Sequence, residues 1–169
     1  MKRSLIYCSF LCAMMLGIVV VSAAPTDFSG TWMRDNAKSK GVAGRGGEAP
    51  EVTLMVKQDG KTLTVETKTV GGDGQERTQT AAYNLDGSET TAEAGGRMPG
   101  KVTSKAKWMN DGKTLEINSA RTLSRDGNEF TVNIQSHWEL SDGGKVLTVH
   151  SVTETPQGTR ESTAVYNKK

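Results

Sequence analysis

The sequence predicts an all-β protein, an up-and-down antiparallel β-barrel of about ten strands. Asp-Gly pairs recur between segments rich in Thr and Val. Such pairs accept the positive φ of tight hairpin turns, so each one marks a strand reversal. No segment shows sustained helical periodicity. A meander of this length leaves two long edges, which closure into a barrel removes. The alternative architecture is a sandwich of two sheets.

Residues 1–23 are predicted to be a secretory signal peptide. Lys2 and Arg3 provide a positive start, residues 5–21 form an apolar run, and small residues precede a cleavage site after Ala23. The run of 17 residues is shorter than the roughly 20 that span a bilayer. We therefore expect no stable membrane anchor after cleavage, a single domain at 24–169, and a periplasmic or secreted location.

The charge balance and the cysteines exclude several classes of function. The chain has 21 Lys+Arg and 19 Asp+Glu, and two of the basic residues fall in the leader, so the predicted mature chain is formally neutral. A nucleic-acid partner would need a basic surplus. Cys8 and Cys12 also lie in the leader, which leaves no disulfide framework, Cys-ligated metal or thiol nucleophile in the mature chain.

Turn positions predict the strand register. The strands are expected near residues 28–34, 51–58, 61–70, 75–85, 88–93, 101–109, 113–124, 128–140, 145–155 and 158–167. Two-residue turns at 111–112 and 126–127 pair Trp108 with Leu115, and Leu115 with Trp138. A slip of one residue would turn Trp138 to the outer face, which a half-buried sheet penalises.

Two further turns extend this inner face. A turn at 59–60 is expected to pair Val56 with Leu63. The predicted inward set is Trp32, Leu54, Val56, Leu63, Val65, Tyr83, Leu85, Ala106, Trp108, Leu115, Ile117, Ile134, Trp138, Leu147 and Val149. A turn at 142–143 makes His137 and His150 diagonal neighbours on the outer face. Two imidazoles alone are an incomplete metal site, so we predict no metal and no cofactor.

The two ends of the predicted barrel differ. Tight turns close one end, and alternating strand direction brings Trp32, Trp108 and Trp138 to that end as a hydrophobic plug. The longer connections at 35–50 and 94–100 lie at the other end. Inward positions near this open end are small or polar, so we predict a cavity there. The alternative is that these positions lie in solvated strand extensions.

Arginines on the inner face indicate an anionic ligand group. Arg77 and Arg121 face inward near the open end, and Arg160 joins them if 156–157 is a two-residue turn, whereas a three-residue loop turns Glu161 inward. Guanidinium groups bind carboxylates with paired donors, and an amphipathic acid would suit an apolar pocket with a basic mouth. The predicted ligand-binding residues are Arg77, Arg121, Arg160, Ser104, Ser119 and Gln79. Alternatively, the arginines reach solvent from strand ends.

The segment Phe28-Ser29-Gly30-Thr31-Trp32 contains a G-x-W motif at the first strand. With it, the chain resembles the lipocalin-like, or calycin, superfamily of ligand-carrying barrels, and is most similar to small exported bacterial members. The resemblance implies that Gly30 and Trp32 belong to the closed end, where the tryptophan packs against a basic residue of the last strand, Lys168 or Lys169. A second lipocalin motif is absent, residues 35–50 are too Gly-rich for a helical lid, and about ten strands fit the fatty-acid-binding relatives.

Two functions remain open. The first is a non-enzymatic exported barrel that binds a small hydrophobic or amphipathic molecule at its open end, since no nucleophile-elbow motif indicates an enzyme. The second is an interaction or inhibitor module that engages another protein through the loops at 35–50 and 94–100. An enclosed volume of several hundred Å³ lined by Arg77 and Arg121 favours the first, and a filled lumen favours the second.

Overall fold

The structure is a computed structural model that describes residues 24–42, 49–72, 74–94, 100–125 and 128–169. The predicted signal peptide lies outside the described residues. Within them the chain forms the strands β1 (Gly30–Arg34), β2 (Glu51–Gln58), β3 (Thr62–Val70), β4 (Glu76–Asn84), β5 (Thr90–Ala94), β6 (Gly100–Met109), β7 (Thr114–Arg125), β8 (Asn128–Ser141), β9 (Val146–Thr155) and β10 (Gly158–Lys168). No helix in this part of the chain is long and apolar enough to cross a lipid bilayer.

The strands form one antiparallel sheet in the order β4-β3-β2-β1-β10-β9-β8-β7-β6-β5. Each strand pairs with its neighbours in the chain apart from β4 and β5, which form the two edges. The first and last strands also pair, with Trp32 opposite Lys168. This pairing curls the sheet into a nearly closed barrel. The predicted up-and-down barrel is confirmed, and the two-sheet sandwich is wrong.

Strand β2 illustrates why these residues form a half-buried strand. Val52, Leu54 and Val56 are buried, while Met55 and Lys57 between and beside them are exposed. Successive side chains of a strand point to opposite faces, so this alternation places one apolar row in the lumen and one polar row in water. Buried apolar residues of β1, β3 and β6–β10 join this row in one core, whereas no buried residue comes from the described part of β4 and β5.

The register predicted for the central hairpins is confirmed. Trp108 pairs with Leu115 across β6 and β7, and Leu115 pairs with Trp138 across β7 and β8. The first turn contains Asp111 at φ 55° and Gly112 at φ 81°, which is the backbone conformation for which Asp-Gly is suited. The second turn, at 126–127, lies outside the described residues, so its register is established from the pairing of the flanking strands β7 and β8.

The strand register predicted from a turn at 59–60 is wrong by two residues, because the centre of the turn lies one residue further along the chain. Val56 faces Val65 instead of Leu63. The reason is that the Asp59 carboxylate accepts hydrogen bonds from the backbone N–H of Lys61 at 2.8 Å and of Thr62 at 2.7 Å. Aspartate therefore occupies the first position of the turn and not its centre. A shift of two keeps every side chain on its face, so the predicted core survives.

Replacing Asp59 by alanine should destabilise the fold at neutral pH, and the loss should shrink in acid. Hydrogen bonds from Lys61 and Thr62 hold the pKa of the Asp59 carboxyl below its ordinary value. Its ionised form therefore stabilises the fold above the unfolded-state pKa of about 3.9, and this contribution disappears as pH falls through the lower folded-state pKa. Urea unfolding at neutral pH and at about pH 2 measures the effect. Asp59→Asn is the control, since its amide oxygen still accepts but does not titrate. Equal destabilisation by Asp59→Ala at both pH values would contradict this.

The strand register predicted from a turn at 142–143 is also wrong by two residues. His137 pairs directly with His150, so the histidines are opposite each other and not diagonal. Asp142, Gly143 and Gly144 all adopt positive φ, at 52°, 63° and 83°. The loop between Ser141 and Val146 therefore has four residues, and its centre moves one residue along the chain.

The last hairpin settles the alternative left open for β10. Thr155 pairs with Gly158, so the connection is a two-residue turn. Arg160 then lies opposite Thr153, and Tyr166 opposite Leu147, on the inner face. The three-residue loop, which would have turned Glu161 inward, is not formed.

An aromatic cluster, here called the plug, closes the tight-turn end and consists of Phe28, Trp32, Trp108 and Trp138. Phe28 is fully buried and stacks on Trp108, with ring centroids 5.9 Å apart and planes 6° from parallel. It meets Trp138 edge-on, also at 5.9 Å. The Trp32 indole Nε1 donates to the Phe28 carbonyl at 2.9 Å. Phe28 is thus the central residue of the plug, for which the sequence pattern and the family resemblance had indicated only the three tryptophans and Gly30.

Gly30 and Lys168 explain the geometry of the G-x-W motif. The Lys168 Nζ lies 5.1 Å from the Trp32 ring centroid, within cation–π range. A Cβ on Gly30, whose φ is +145°, would lie 2.7 Å from the Lys168 Cε. Glycine therefore leaves the space through which the lysine reaches the indole. Lys168 is the basic neighbour that the resemblance implied for Trp32.

Candidate ligand-binding cavity

A cavity of about 570 Å³ lies inside the barrel above the plug. Its apolar wall includes Leu54, Val65, Ile134, Trp138 and Val149. Its polar wall includes Thr67, Gln79, Ser104, Ser119 and Arg121. The volume lies within the usual range for small-molecule pockets, and an apolar wall with a few polar groups is the usual composition of such pockets.

The ladder between β6 and β7 positions two of the predicted ligand-binding residues. Ser104 and Ser119 are Cα partners, and their hydroxyl oxygens lie 2.8 Å apart in a hydrogen bond. Ser104 is 6% exposed. One step closer to the plug, the inward pair is Ala106 with Ile117. The side chains of Ser104 and Ser119 are too small to fill the lumen at their level, so the wall recedes here. Small inward side chains therefore help to keep the lumen hollow.

Arg121 is the predicted arginine that lines the cavity. It lies opposite Val102 on β6 and Val132 on β8, and its side chain is half-buried. Arg77 and Arg160 also occupy inner-face positions, but both are exposed and neither lines the cavity. The structure thus brings one guanidinium, and not three, to the cavity wall.

Gln79 also lines the cavity, from the exposed edge strand β4. It sits opposite Thr67 of β3, which lines the cavity as well. The predicted set therefore divides into residues at the cavity, namely Ser104, Ser119, Arg121 and Gln79, and residues at exposed strand ends, namely Arg77 and Arg160. The first four residues therefore border a cavity, and the last two lie in solvated strand extensions.

Two tyrosines line the cavity that the predicted site did not include. Burial raises the pKa of both Tyr83 and Tyr166, so their phenols remain protonated and can donate hydrogen bonds. Tyr166 is the Cα partner of Arg34, whose positive charge opposes that rise. Arg34 is itself engaged, since its guanidinium donates to Asn36 and to the Pro50 carbonyl. The sequence could have indicated Tyr166 only through the register of β10, and the turn residues left two registers open for that strand.

The histidines lie on the outer face, away from the cavity. His137 Nε2 lies 3.1 Å from Glu116 Oε2, and His150 Nδ1 lies 3.2 Å from the Thr163 hydroxyl. Among the described residues, no three His, Cys, Asp or Glu side chains are grouped so as to hold a metal ion. These imidazoles bind neighbouring side chains of the sheet surface.

Comparison with known proteins supports the fold. No protein-family model matches the chain, and no curated protein matches it. A crystal structure of zebrafish ileal bile acid-binding protein in complex with cholic acid is similar, with a TM-score of 0.51 and 18% sequence identity. The likeness covers 84% of this chain and 98% of that one. At this identity the likeness concerns the fold alone: the described residues form ten antiparallel strands in a nearly closed barrel with a fatty-acid-binding-protein-like fold.

Proposed function

We propose that this protein is an exported, non-enzymatic binding protein that holds a small hydrophobic or amphipathic molecule in its barrel. The observation that carries the proposal is the cavity of about 570 Å³ above the plug. A filled lumen would instead favour a scaffold that presents the loops at 35–50 and 94–100 to another protein. Residues 43–48 and 95–99 of those two loops lie outside the described residues.

The wall of the cavity supports an amphipathic acid as the ligand class. Its apolar side, with Leu54, Val65 and Val149, would bury a hydrocarbon body. Arg121 would pair with an acidic group in a partly desolvated setting, where charge-assisted hydrogen bonds are strong. Cholic acid, the ligand in the similar zebrafish structure, is a molecule of this class.

Export is part of the proposal and is supported by the sequence of residues 1–23. The experiment is to recover the protein from its native source, measure its intact mass, and identify co-extracted organic molecules by mass spectrometry. We expect a chain that begins at Ala24 and carries an apolar or amphipathic small molecule. A chain that retains the leader contradicts export, and failure of the purified protein to bind fatty acids, bile acids or their neutral analogues contradicts the carrier function.

Replacing Arg121 by alanine should weaken the binding of an amphipathic acid by about 10-fold to 100-fold. A hydrogen bond to a charged group contributes about 1.5–3 kcal/mol, and Arg121 is the predicted arginine at the cavity wall. The affinity for the corresponding alcohol should change much less. Calorimetric titration of both ligands measures the difference.

Arg77→Ala is the matched control for Arg121→Ala. Arg77 also lies on the inner face, but it is exposed and does not line the cavity. Its replacement should change the affinity for the acid by less than about fivefold, because exposed ion pairs contribute about 0–1 kcal/mol. If Arg121→Ala weakens the acid and the alcohol equally, the residue does not recognise the anionic group.

A further inference from the structure

Strands β4 and β5 follow each other in the chain but do not pair. They form opposite edges of the sheet order, so the barrel has a seam between them. Paired strands lie about 4.7–4.9 Å apart and are joined by backbone hydrogen bonds. Some Cα atoms of β4 and β5 come within 8 Å of each other, but no ladder joins the strands. We call the space between these two facing edges the lateral slot.

The cavity reaches the lateral slot. Its wall includes six consecutive residues of β4, at 78–83. Alternate residues of a strand point to opposite faces, and on β3 and β6 the cavity wall includes only residues of the inner face. The unbroken run on β4 therefore indicates that the cavity extends to the edge of this strand. On the other side, the wall includes Thr90 and Ala92 of the inner face of β5, and Glu93 of its outer face. The cavity therefore opens sideways between the two edges.

Most side chains along the lateral slot are small. Thr80, Ala81 and Ala82 line it on β4, and Thr90 and Ala92 line it on β5. Among the described residues of this seam, the longer side chains at the cavity wall are the exposed Gln79 and Glu93, and the one aromatic side chain is Tyr83, close to the turn that joins the strands. Over the first half of β4, residues 76–80 are exposed whether they face inward or outward. An alkyl chain could pass here without the displacement of a packed aromatic group.

The floor of the barrel offers no comparable route. Phe28 and Trp32 are fully buried in the plug, and Leu63, Leu115 and Leu147 beside them are also fully buried. Opening this end would expose several large apolar side chains to water, which is unfavourable. Opening the lateral slot breaks no backbone ladder, because none joins β4 and β5.

From these observations we propose that the bound molecule enters and leaves through the lateral slot between β4 and β5. The inference rests on the proposed function, since it concerns the route to the same cavity. It identifies the β4–β5 seam as a gate for an elongated amphipathic molecule that slides in sideways.

The experiment closes the lateral slot reversibly. The background is the full chain with Cys8→Ser and Cys12→Ser, which removes the native thiols. Cysteines are then introduced at outward-facing positions of the two edges. The two pairs are Ala82→Cys with Thr91→Cys, and Thr80→Cys with Glu93→Cys. A reducible bis-methanethiosulfonate cross-linker joins each pair, and mass spectrometry verifies the cross-link. Stopped-flow fluorescence with cis-parinaric acid then gives the association and dissociation rates before and after reduction.

We expect the cross-link to slow association and dissociation by at least tenfold, with a Kd that differs less than threefold between the cross-linked and reduced forms. A gate changes the barrier and not the end states, so both rates should fall together and recover on reduction. The matched control is Lys57→Cys with Thr64→Cys, which are outward-facing Cα partners across the intact β2–β3 ladder. The same cross-linker there should leave both rates unchanged.

The outcomes separate this inference from the function on which it rests. Unchanged rates in both cross-linked slot variants would overturn the lateral route while leaving the carrier function intact. Equal slowing in the β2–β3 control would also overturn it, because the effect would then come from stiffening of the barrel in general. If the unmodified protein binds cis-parinaric acid and other amphipaths with no measurable affinity, the proposed function itself fails.

Discussion

Replacing Phe28 by alanine is expected to lower the free energy of unfolding by about 3–5 kcal/mol, the usual cost of truncating a buried aromatic residue. Phe28 is 0% exposed and contacts Trp108 by stacking and Trp138 by its edge. The Trp32 indole donates to the Phe28 backbone carbonyl, so alanine leaves that acceptor in place. The loss should therefore come from packing in the plug. Urea unfolding monitored by tryptophan fluorescence measures it.

Two further variants test whether this loss belongs to the plug. Phe28→Leu keeps an apolar side chain in place and should cost clearly less than alanine, because it removes the aromatic contacts but most of the burial remains. Met33→Ala changes a side chain that is 47% exposed on β1 and should lie within about 0.5 kcal/mol of the wild type. A loss at Phe28→Ala no greater than at Met33→Ala would show that Phe28 is not central to the plug.

Replacing Gly100 by alanine is expected to destabilise the protein by about 3 kcal/mol, the upper end of what overpacking usually costs. An added Cβ would lie 2.0 Å from the Thr122 carbonyl oxygen and 3.1 Å from the Leu123 Cα. These are backbone atoms, so no side-chain rotation can relieve the contact. The start of β6 must therefore move away from β7, and Leu123, which is 4% exposed, would lose packing.

Gly60→Ala is the matched control for Gly100→Ala. Gly60 has no atom within 4 Å of an added Cβ and no positive φ. Alanine there should be neutral or stabilise by up to about 1 kcal/mol, because it restricts the unfolded chain. Thermal unfolding of both variants gives the comparison. Similar destabilisation at the two positions would mean that the close backbone approach at Gly100 does not limit stability.

The register shows how far turn chemistry could be interpreted from sequence. The pair Asp111-Gly112 lies at the centre of its turn, as predicted, whereas Asp59 and Asp142 lie one position before the centre. Aspartate suits both places, since it tolerates positive φ and its carboxylate can also accept the N–H groups of a following turn. The sequence does not distinguish these uses, and the structure does so through the hydrogen bonds of Asp59 and the positive φ of Gly144.

The candidate site was predictable in part. Ser104, Ser119 and Arg121 follow from strand alternation once the turns beside them are placed, and all three line the cavity. Arg77 satisfies the same alternation, but it lies near the exposed end of an edge strand. Alternation predicts the face of a residue and carries no information on its depth along the barrel or on what covers it.

The number of strands, their antiparallel order and the inner face were predictable from the sequence, because they depend on residue types a few positions apart. Three features emerge from the three-dimensional fold: Phe28 occupies the centre of the plug, one of the three predicted arginines reaches the cavity, and β4 and β5 stay unpaired. The first two depend on distances between segments remote in the chain. The third depends on the curvature with which the sheet closes, which no local pattern specifies.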